Sequence, residues 1–209
     1  DALPISVHAI GIETDRDNAN VGNNFSSKLL RIASETNKWH NLSTMPKHLA
    51  KLHELGDLYY HDLDSYNLTT NCLHIDTGAI FEKGFNTGYG TIKKPKRIET
   101  AAELSCILLQ SSQNDMFGGQ SHVNFDNDMA PYVGYTREEI EEEYAPLKEV
   151  MGDTPFNTFV QEKLSTRIHQ AMQGIVYNLN TMHSRAGSQV PFSSLNIGLP
   201  MSEDAALVC

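Results

Sequence analysis

The sequence predicts an α/β fold, in which helices are layered on a sheet of short strands or wrapped around a barrel of them. Helical periodicities alternate along the chain with short segments rich in strand formers, and no internal repeat or low-complexity linker interrupts them. With 209 residues, 40% of them hydrophobic, the chain can bury a sizeable core. These observations do not choose between layers and a barrel.

The first half of the chain is predicted to form two helices, two strands and a loop. A helix over 21–37 takes Asn20 as its N-cap, and a shorter helix over 46–55 ends at Gly56. Strand formers at 57–61 and 71–75 indicate strands, and the glycine-rich and basic segment 84–97 is typical of a surface loop.

The second half is predicted to be mainly helical. The predicted elements are a helix over 99–114 with Cys106 packed inside, an acidic helix capped by Thr136, a long core helix over 156–182, a strand over 189–197 and a final helix capped by Ser202.

Charge and cysteine content exclude several classes of protein. The formal charge of −10 disfavours general binding to nucleic acid or to an anionic membrane. The sequence contains neither an 18-residue apolar span nor a secretory signal, so we expect a cytoplasmic protein. Cys72, Cys106 and Cys209 are too widely spaced for a disulfide framework or a CxxC metal-ligand pair, which favours free thiols.

Two polar clusters allow a functional and a structural interpretation. His61, Asp62, Asp64 and His74 carry side chains that suit divalent ions, which gives the alternative of a metal-dependent hydrolase. Equally, the aspartates can form turns and the histidines can hydrogen-bond the backbone. The basic run over 93–97 could hold a triphosphate or be a solvated loop.

Four long stretches resemble the anaerobic (class III) ribonucleotide reductases, a family of glycyl radical enzymes. They occur in family order and cover most of residues 18–209. The stretches are NANVGNNFSSKLLRIASE, DLYYHDLDSYNLTTNCLHIDTG, GYGTIKKPKRIETAAELSCILLQSSQNDMFGGQS and QAMQGIVYNLNTMHSRAGSQVPFSSLNIGLP.

The resemblance implies part of a ten-stranded α/β barrel in which a cysteine thiyl radical removes hydrogen from the ribose of a ribonucleoside triphosphate. A second cysteine on an early strand then assists at the neighbouring carbon, and Cys72 matches its position. Loss of the 2′-hydroxyl needs a proton for the departing water and a hydrogen atom for the carbon. A thiol, mostly protonated near neutral pH, can supply both. We therefore expect Cys72 to be catalytic and to lie in a dry cavity facing the sugar.

The stretch SRAGSQVPFSSLN supplies further candidate residues. It combines a glycine with hydroxyl and amide side chains next to a predicted strand, as expected where donors approach phosphate or ribose oxygens. Ser193, Ser194 and Asn196 are the predicted substrate-binding residues, although serine and asparagine at strand ends are also common turn formers. The resemblance implies no metal ligand in this segment.

Other parts of the family pattern have no match in this sequence. These are the ATP cone, the finger loop with the thiyl cysteine, the four-cysteine zinc site and the glycyl radical segment. Residues 1–209 are therefore expected to be the N-terminal part of the catalytic barrel domain and to be inactive alone.

The resemblance also implies cofactors and partners for the complete enzyme. These are a glycyl radical installed by a radical-SAM activating enzyme, formate as reductant, dNTP and ATP effectors, and a homodimer. A further alternative is a non-catalytic nucleotide-binding or dimerisation module.

Overall fold

The computed structural model describes residues 24–66 and 70–209, in which helices alternate with short strands. The helices are α1 (Phe25–Thr44), α2 (Lys47–Leu55), α3 (Thr77–Lys83), α4 (Ile98–Ser112), α5 (Phe125–Glu143), α6 (Ala145–Met151), α7 (Asp153–Thr181) and α8 (Glu203–Ala206). The strands are β1 (Leu73–Ile75), β2 (Phe85–Asn86), β3 (Thr91–Ile92), β4 (Gln120–His122) and β5 (Ser193–Leu195). Single-turn 3₁₀ helices lie at Leu63–Ser65 and Gln113–Asp115. The predicted helix-rich α/β fold is confirmed.

The sheet that organises the fold contains β1, β4 and β5, all parallel, with β4 in the centre. β2 and β3 form a separate antiparallel hairpin. Because side chains alternate along a strand, each strand of the parallel sheet presents one set of side chains to each face. Ile75 and His122 are buried on the face covered by helices, whereas His74 and Ser194 are exposed on the other face.

The main hydrophobic core lies between the helices. α4 packs against both α7 and α5, and α5 also contacts α7 and α8. The largest fully buried apolar side chains of this core are Phe81, Ile98, Phe125, Met129, Val133, Ile140, Val160, Leu164 and Ile175. A smaller cluster of Met45, Ala50 and Leu63 lies beneath α1 and α2. The three- and four-residue spacing along α7 that predicted a long core helix is confirmed.

Local signals fixed several helix ends as predicted. Gly56 adopts a left-handed φ of 79° and ends α2, a conformation that costs glycine little. The side chain of Ser202 accepts a hydrogen bond from the Ala205 N–H and begins α8. The N-cap of α1 is Asn24, which accepts from the Ser27 N–H, and the predicted cap Asn20 lies outside the described residues.

Three element predictions were wrong. Residues 57–61 form bends and irregular chain in which Tyr59 is exposed, so the aromatic strand formers there do not form a strand. The strand β4 was missed because its three residues are polar. Segment 84–97 was predicted as a loop throughout, yet it contains the β2–β3 hairpin.

Thr136 is not a helix cap but lies within α5. This helix begins at Phe125, eleven residues before Thr136, and continues through Pro131. The Thr136 hydroxyl donates to the Tyr132 carbonyl at 2.7 Å and accepts from the Ile98 N–H at 2.9 Å. A buried side chain of α5 therefore supports the first turn of α4, which has no side-chain cap of its own.

One close approach fixes the entry into β4. The Gly118 N–H donates to the Asn71 carbonyl, immediately before Cys72. A Cβ at Gly118 would overlap the Asn71 backbone and side-chain oxygens. Glycine at this position therefore allows the chain before β1 and the chain before β4 to lie in contact.

No helix in the described ranges is both long enough and apolar enough to cross a bilayer.

Candidate functional site

A groove of about 320 Å³ runs across the parallel sheet on the face turned away from the helices. Its lining residues come from the three strands and the residues just before them: Cys72, Leu73, His74, Gly119, Gln120, Ser121, Phe192, Ser193 and Ser194. The parallel register sets His74, Ser121 and Ser194 side by side. Three segments that are far apart in sequence therefore contribute polar side chains to one surface.

Cys72 lies at the edge of this groove, in extended chain just before β1. Its Sγ is 3.8 Å from the Asn71 Oδ1, at the long limit for a thiol hydrogen bond. The side chain is exposed, so the expectation of a dry cavity is wrong for the described residues. The physical reason is that Cys72 shares the sheet face opposite the helical core. By contrast, Cys106 is buried in α4 as predicted, and burial raises the pKa of its thiol to about 11.

The predicted substrate-binding residues divide into two groups. Ser193 and Ser194 both line the groove with Cys72. Asn196 follows β5 and is absent from the lining. Its backbone N–H donates to the His122 carbonyl at 3.0 Å, and its carbonyl accepts from the Phe125 N–H at 2.9 Å. The backbone of Asn196 thus joins the end of β5 to β4 and to the start of α5.

The residues of the hydrolase alternative do not come together. His61 is exposed and its Nε2 is 3.3 Å from Asp62 Oδ2. Asp64 accepts a hydrogen bond from Ser34 at 2.6 Å, and His74 pairs with Ser121 in the groove. In residues 24–66 and 70–209, no group of three or more His, Cys, Asp or Glu side chains could hold a metal ion. The geometry therefore does not support a metal-dependent hydrolase at these residues.

Two of the four basic residues before α4 are paired with acidic side chains. Lys94 forms an ion pair with Glu82, which raises the pKa of Lys94, and its ammonium lies 5.7 Å from the centre of the Tyr135 ring. Arg97 pairs with Glu139. These contacts favour a structural role for the run over a triphosphate site.

The central strand β4 was not predicted, and with Gly119 it contributes three of the nine lining residues of the groove. Gln120 is buried: its Nε2 donates to the Leu109 carbonyl at 2.9 Å, and its Oε1 accepts from Ser112. Ser121 faces the groove and is hydrogen-bonded to His74 at 2.6 Å. The paired glycines before them were the available signal, because close approach of two backbones often requires glycine.

Arg185, which has no acidic partner among the residues that the structure describes, contacts the groove residue Phe192. The Arg185 guanidinium is stacked 4.6 Å from the centre of the Phe192 ring, and its Nη2 donates to the Phe117 carbonyl. Burial lowers the pKa of Arg185. The cation–π contact and the carbonyl hydrogen bond together hold Phe192 at the groove edge.

Comparison with known proteins places this arrangement in a family. The sequence profile of the family described as anaerobic ribonucleoside-triphosphate reductase matches residues 17–208. The anaerobic ribonucleoside-triphosphate reductase of Salmonella typhimurium is 27% identical over 168 residues, which are 78% of this chain and 23% of that protein. The enzyme of the same name from Enterobacteria phage T4 is 27% identical over 158 residues, which are 74% of this chain and 25% of that protein. The chain thus spans about a quarter of the length of these relatives.

Solved structures share the fold. The anaerobic ribonucleotide reductase from Thermotoga maritima in complex with dATP and CTP aligns with a TM-score of 0.61 at 20% identity, over 82% of this chain and 28% of that one. The same enzyme with dATP bound in the specificity site aligns with a TM-score of 0.62 at 18% identity, over 88% of this chain and 32% of that one. At these identities the likeness concerns the fold, and the profile match over 17–208 decides the family. The chain belongs to the anaerobic ribonucleoside-triphosphate reductase family.

Proposed function

We propose that residues 1–209 are the N-terminal part of the catalytic barrel of an anaerobic ribonucleoside-triphosphate reductase, and that the groove over the parallel sheet receives the ribose of the substrate. The observation that carries this proposal is the meeting of Cys72 with Ser193 and Ser194 in one groove. Parallel strands with helices on one face and an open polar face are what a segment of a ten-stranded barrel would present.

In this proposal Cys72 is the second cysteine of the reaction. The 2′-hydroxyl leaves as water with a proton from another donor, and the Cys72 thiol gives its hydrogen atom to the 2′ carbon. Formate, the proposed reductant, then returns a hydrogen atom to the sulfur. The Sγ is exposed at the groove, so it is accessible to a sugar that enters. A bound nucleotide and the rest of the barrel would then exclude the water that now reaches the thiol.

Ser193 and Ser194 are proposed to donate hydrogen bonds to ribose or phosphate oxygens. Both lie in the groove, and a hydroxyl can donate or accept as the substrate requires. Asn196 is a further candidate with less support, because it does not line the groove. Its exposed side chain lies two residues after Ser194, where an extended chain places it on the same side.

The cofactors and partners of the complete enzyme are part of the proposal. A glycyl radical installed by a radical-SAM activating enzyme would supply the radical, with formate as reductant, and dNTP and ATP would act as effectors of a cytoplasmic homodimer. The proposed zinc site does not fit the described residues of this chain, where no cluster of three ligands occurs. It is therefore assigned to other parts of the enzyme, and no step here depends on it.

The decisive experiment replaces Cys72 with serine in the complete enzyme. Cys72→Ser should abolish deoxynucleotide formation because a hydroxyl is a poor hydrogen-atom donor, while the glycyl radical signal in EPR spectra stays intact. Product is measured by chromatography with CTP as substrate. Normal turnover in the variant would reduce Cys72 to a packing residue.

Cys106 gives a matched control for this substitution. It is buried in α4 and far from any groove lining, so Cys106→Ala should retain turnover and lower only the stability, by about 1 kcal/mol. Separately, a polypeptide of only these 209 residues, supplied with activase, S-adenosylmethionine, formate and nucleotide, should form no product. If deoxynucleotides cause dimerisation but the complete enzyme forms no product, the alternative of a non-catalytic nucleotide-binding or dimerisation module is favoured instead.

A further inference from the structure

His74 is an ionisable groove residue to which the proposed reaction gives no role. It is exposed, it lines the groove with Cys72, and its Nδ1 is 2.6 Å from the Ser121 hydroxyl oxygen. Ser121 is almost fully buried, so this hydrogen bond ties the imidazole to a fixed point on the central strand. The ring is therefore oriented, with Nε2 as its second polar atom.

The charged and titratable groups around His74 are few. Among the lining residues, Cys72 and His74 are the two with ionisable side chains. β4 contributes the neutral Ser121 beside His74, and β5 contributes the neutral Ser194 beyond it. Asp76, which follows β1, caps α3 by accepting from the Ala79 N–H at 3.0 Å. A protonated His74 would thus be the one cation in the groove lining.

The spacing between the two groove residues matches a sugar. One residue, Leu73, separates Cys72 from His74, so in extended chain their Cα atoms lie about 6.6 Å apart and their side chains are on the same side. A ribose ring with its hydroxyl groups spans a similar width. A sugar that presents its 2′ carbon to the Cys72 thiol therefore brings its 2′-hydroxyl within reach of the imidazole.

Resting on the proposed function, we infer that His74 is a substrate-binding residue whose protonated imidazole donates a hydrogen bond from Nε2 to the ribose 2′-hydroxyl. In the imidazolium form both ring nitrogens carry protons, so Nδ1–H donates to Ser121 while Nε2–H is left for the substrate. The hydrogen bond strengthens as negative charge develops on the departing oxygen. Cys72 would then act at the 2′ carbon of the sugar, and His74 would contact the oxygen bonded to that carbon.

The test compares the complete enzyme with its His74→Gln and His48→Gln variants. The first removes a titratable side chain that contacts Ser121, and the second removes an exposed histidine of α2, away from the groove. The values of kcat and KM for CTP are measured from pH 6 to 8.5. EPR of the glycyl radical checks that each variant is assembled.

The inference expects kcat/KM of the unmodified enzyme to fall as pH rises through the range in which an imidazole loses its proton. His74→Gln should lower kcat/KM at pH 6 by roughly ten- to a hundredfold, the usual effect of a hydrogen bond from a charged donor. It should also abolish the pH dependence, while His48→Gln behaves like the unmodified enzyme.

Two outcomes would overturn the inference. One is a His74→Gln enzyme with unchanged kcat/KM, and the other is a loss of equal size at every pH, which would indicate a structural role for the Ser121 contact. Inhibition by dCTP gives an independent check, because this product lacks the 2′-hydroxyl and should bind both enzymes equally well at the groove. An unmodified enzyme that forms no dCTP would contradict the proposed function itself, and the inference with it.

Discussion

Two histidines on neighbouring strands of the same sheet have opposite environments. His74 of β1 is exposed at the groove and hydrogen-bonded to Ser121. His122 of β4 is fully buried on the other face, where it bonds the Thr77 hydroxyl and packs on Phe125. Burial lowers the pKa of His122 to about 4. The residue type is the same, and the side of the strand decides whether it can meet a substrate or must stay neutral.

The same division applies to the whole sheet. The face that packs on the helices carries the buried residues Ile75, Gln120 and His122, and the opposite face carries Cys72, His74 and Ser194. Substitutions on the packed face should therefore alter stability, and those on the groove face should alter chemistry. Three measurements can sharpen or break this contrast.

The largest effect on stability is expected from the helical core behind the packed face. Leu164 of α7 is fully buried, so Leu164→Ala should lower the free energy of unfolding by roughly 2–5 kcal/mol. Ser194→Ala on the groove face should change it by less than about 0.5 kcal/mol. Chemical denaturation of both variants measures the difference. Equal losses would mean that the groove face is also part of the packed interior.

The second effect is a pH dependence that His122 brings to the packed face. The unfolded chain protonates His122 near 6.5, whereas the folded chain resists protonation down to about 4. Between these values the unfolded state binds more protons, so stability falls as pH drops from about 6.5 to 4. The total loss is about 3 kcal/mol.

Denaturation of the His122→Gln variant tests this assignment. The substitution should cost stability at pH 7, because Gln fits the Thr77 contact poorly, and should flatten the decline below pH 6.5. His74→Gln should leave the decline in place. If the His122 variant retains the full acid-dependent loss, another group is responsible.

The smallest of the three effects on the free energy of unfolding is expected at Gly118, where the chain enters β4. Gly118→Ala would push a Cβ into Asn71 and should cost roughly 1–3 kcal/mol. Because Asn71 adjoins Cys72, turnover of the complete enzyme should fall as well. Gly174→Ala in α7 is the matched control: a Cβ there meets nothing within 4 Å, and alanine should stabilise the helix by up to about 1 kcal/mol. Unchanged turnover in Gly118→Ala would show that the contact between Gly118 and Asn71 does not affect the groove.

The sequence predicted the parts of the fold that depend on local pattern. α7 follows from its apolar spacing, and α2 and α8 from Gly56 and Ser202. β4 could not be predicted in this way, because Gln120, Ser121 and His122 are stabilised by Leu109, His74 and Thr77 respectively, all contributed by other segments. Thr136 was mistaken for a cap since its true partner, the Ile98 N–H, comes from another helix.

The candidate site was predicted in the same uneven way. Resemblance to the family selected Cys72, and hydroxyl and amide side chains beside a predicted strand selected Ser193, Ser194 and Asn196. The structure brings Cys72, Ser193 and Ser194 into one groove, and Asn196 is not part of its lining. The exposure of Cys72 and the pairing of His74 with Ser121 depend on which face of the sheet the helices cover. That information lies in tertiary packing and not in the spacing of residues along the chain.

The Thr136 hydroxyl also links the opening rates of two helices. It holds the Ile98 N–H, the first amide of α4, while it lies in the middle of α5. First-turn amides of a helix usually exchange with deuterium quickly, because no carbonyl of the same helix covers them. Here the Ile98 amide should exchange only as fast as the interior of α5 opens, so the two helices unwind as one cooperative unit.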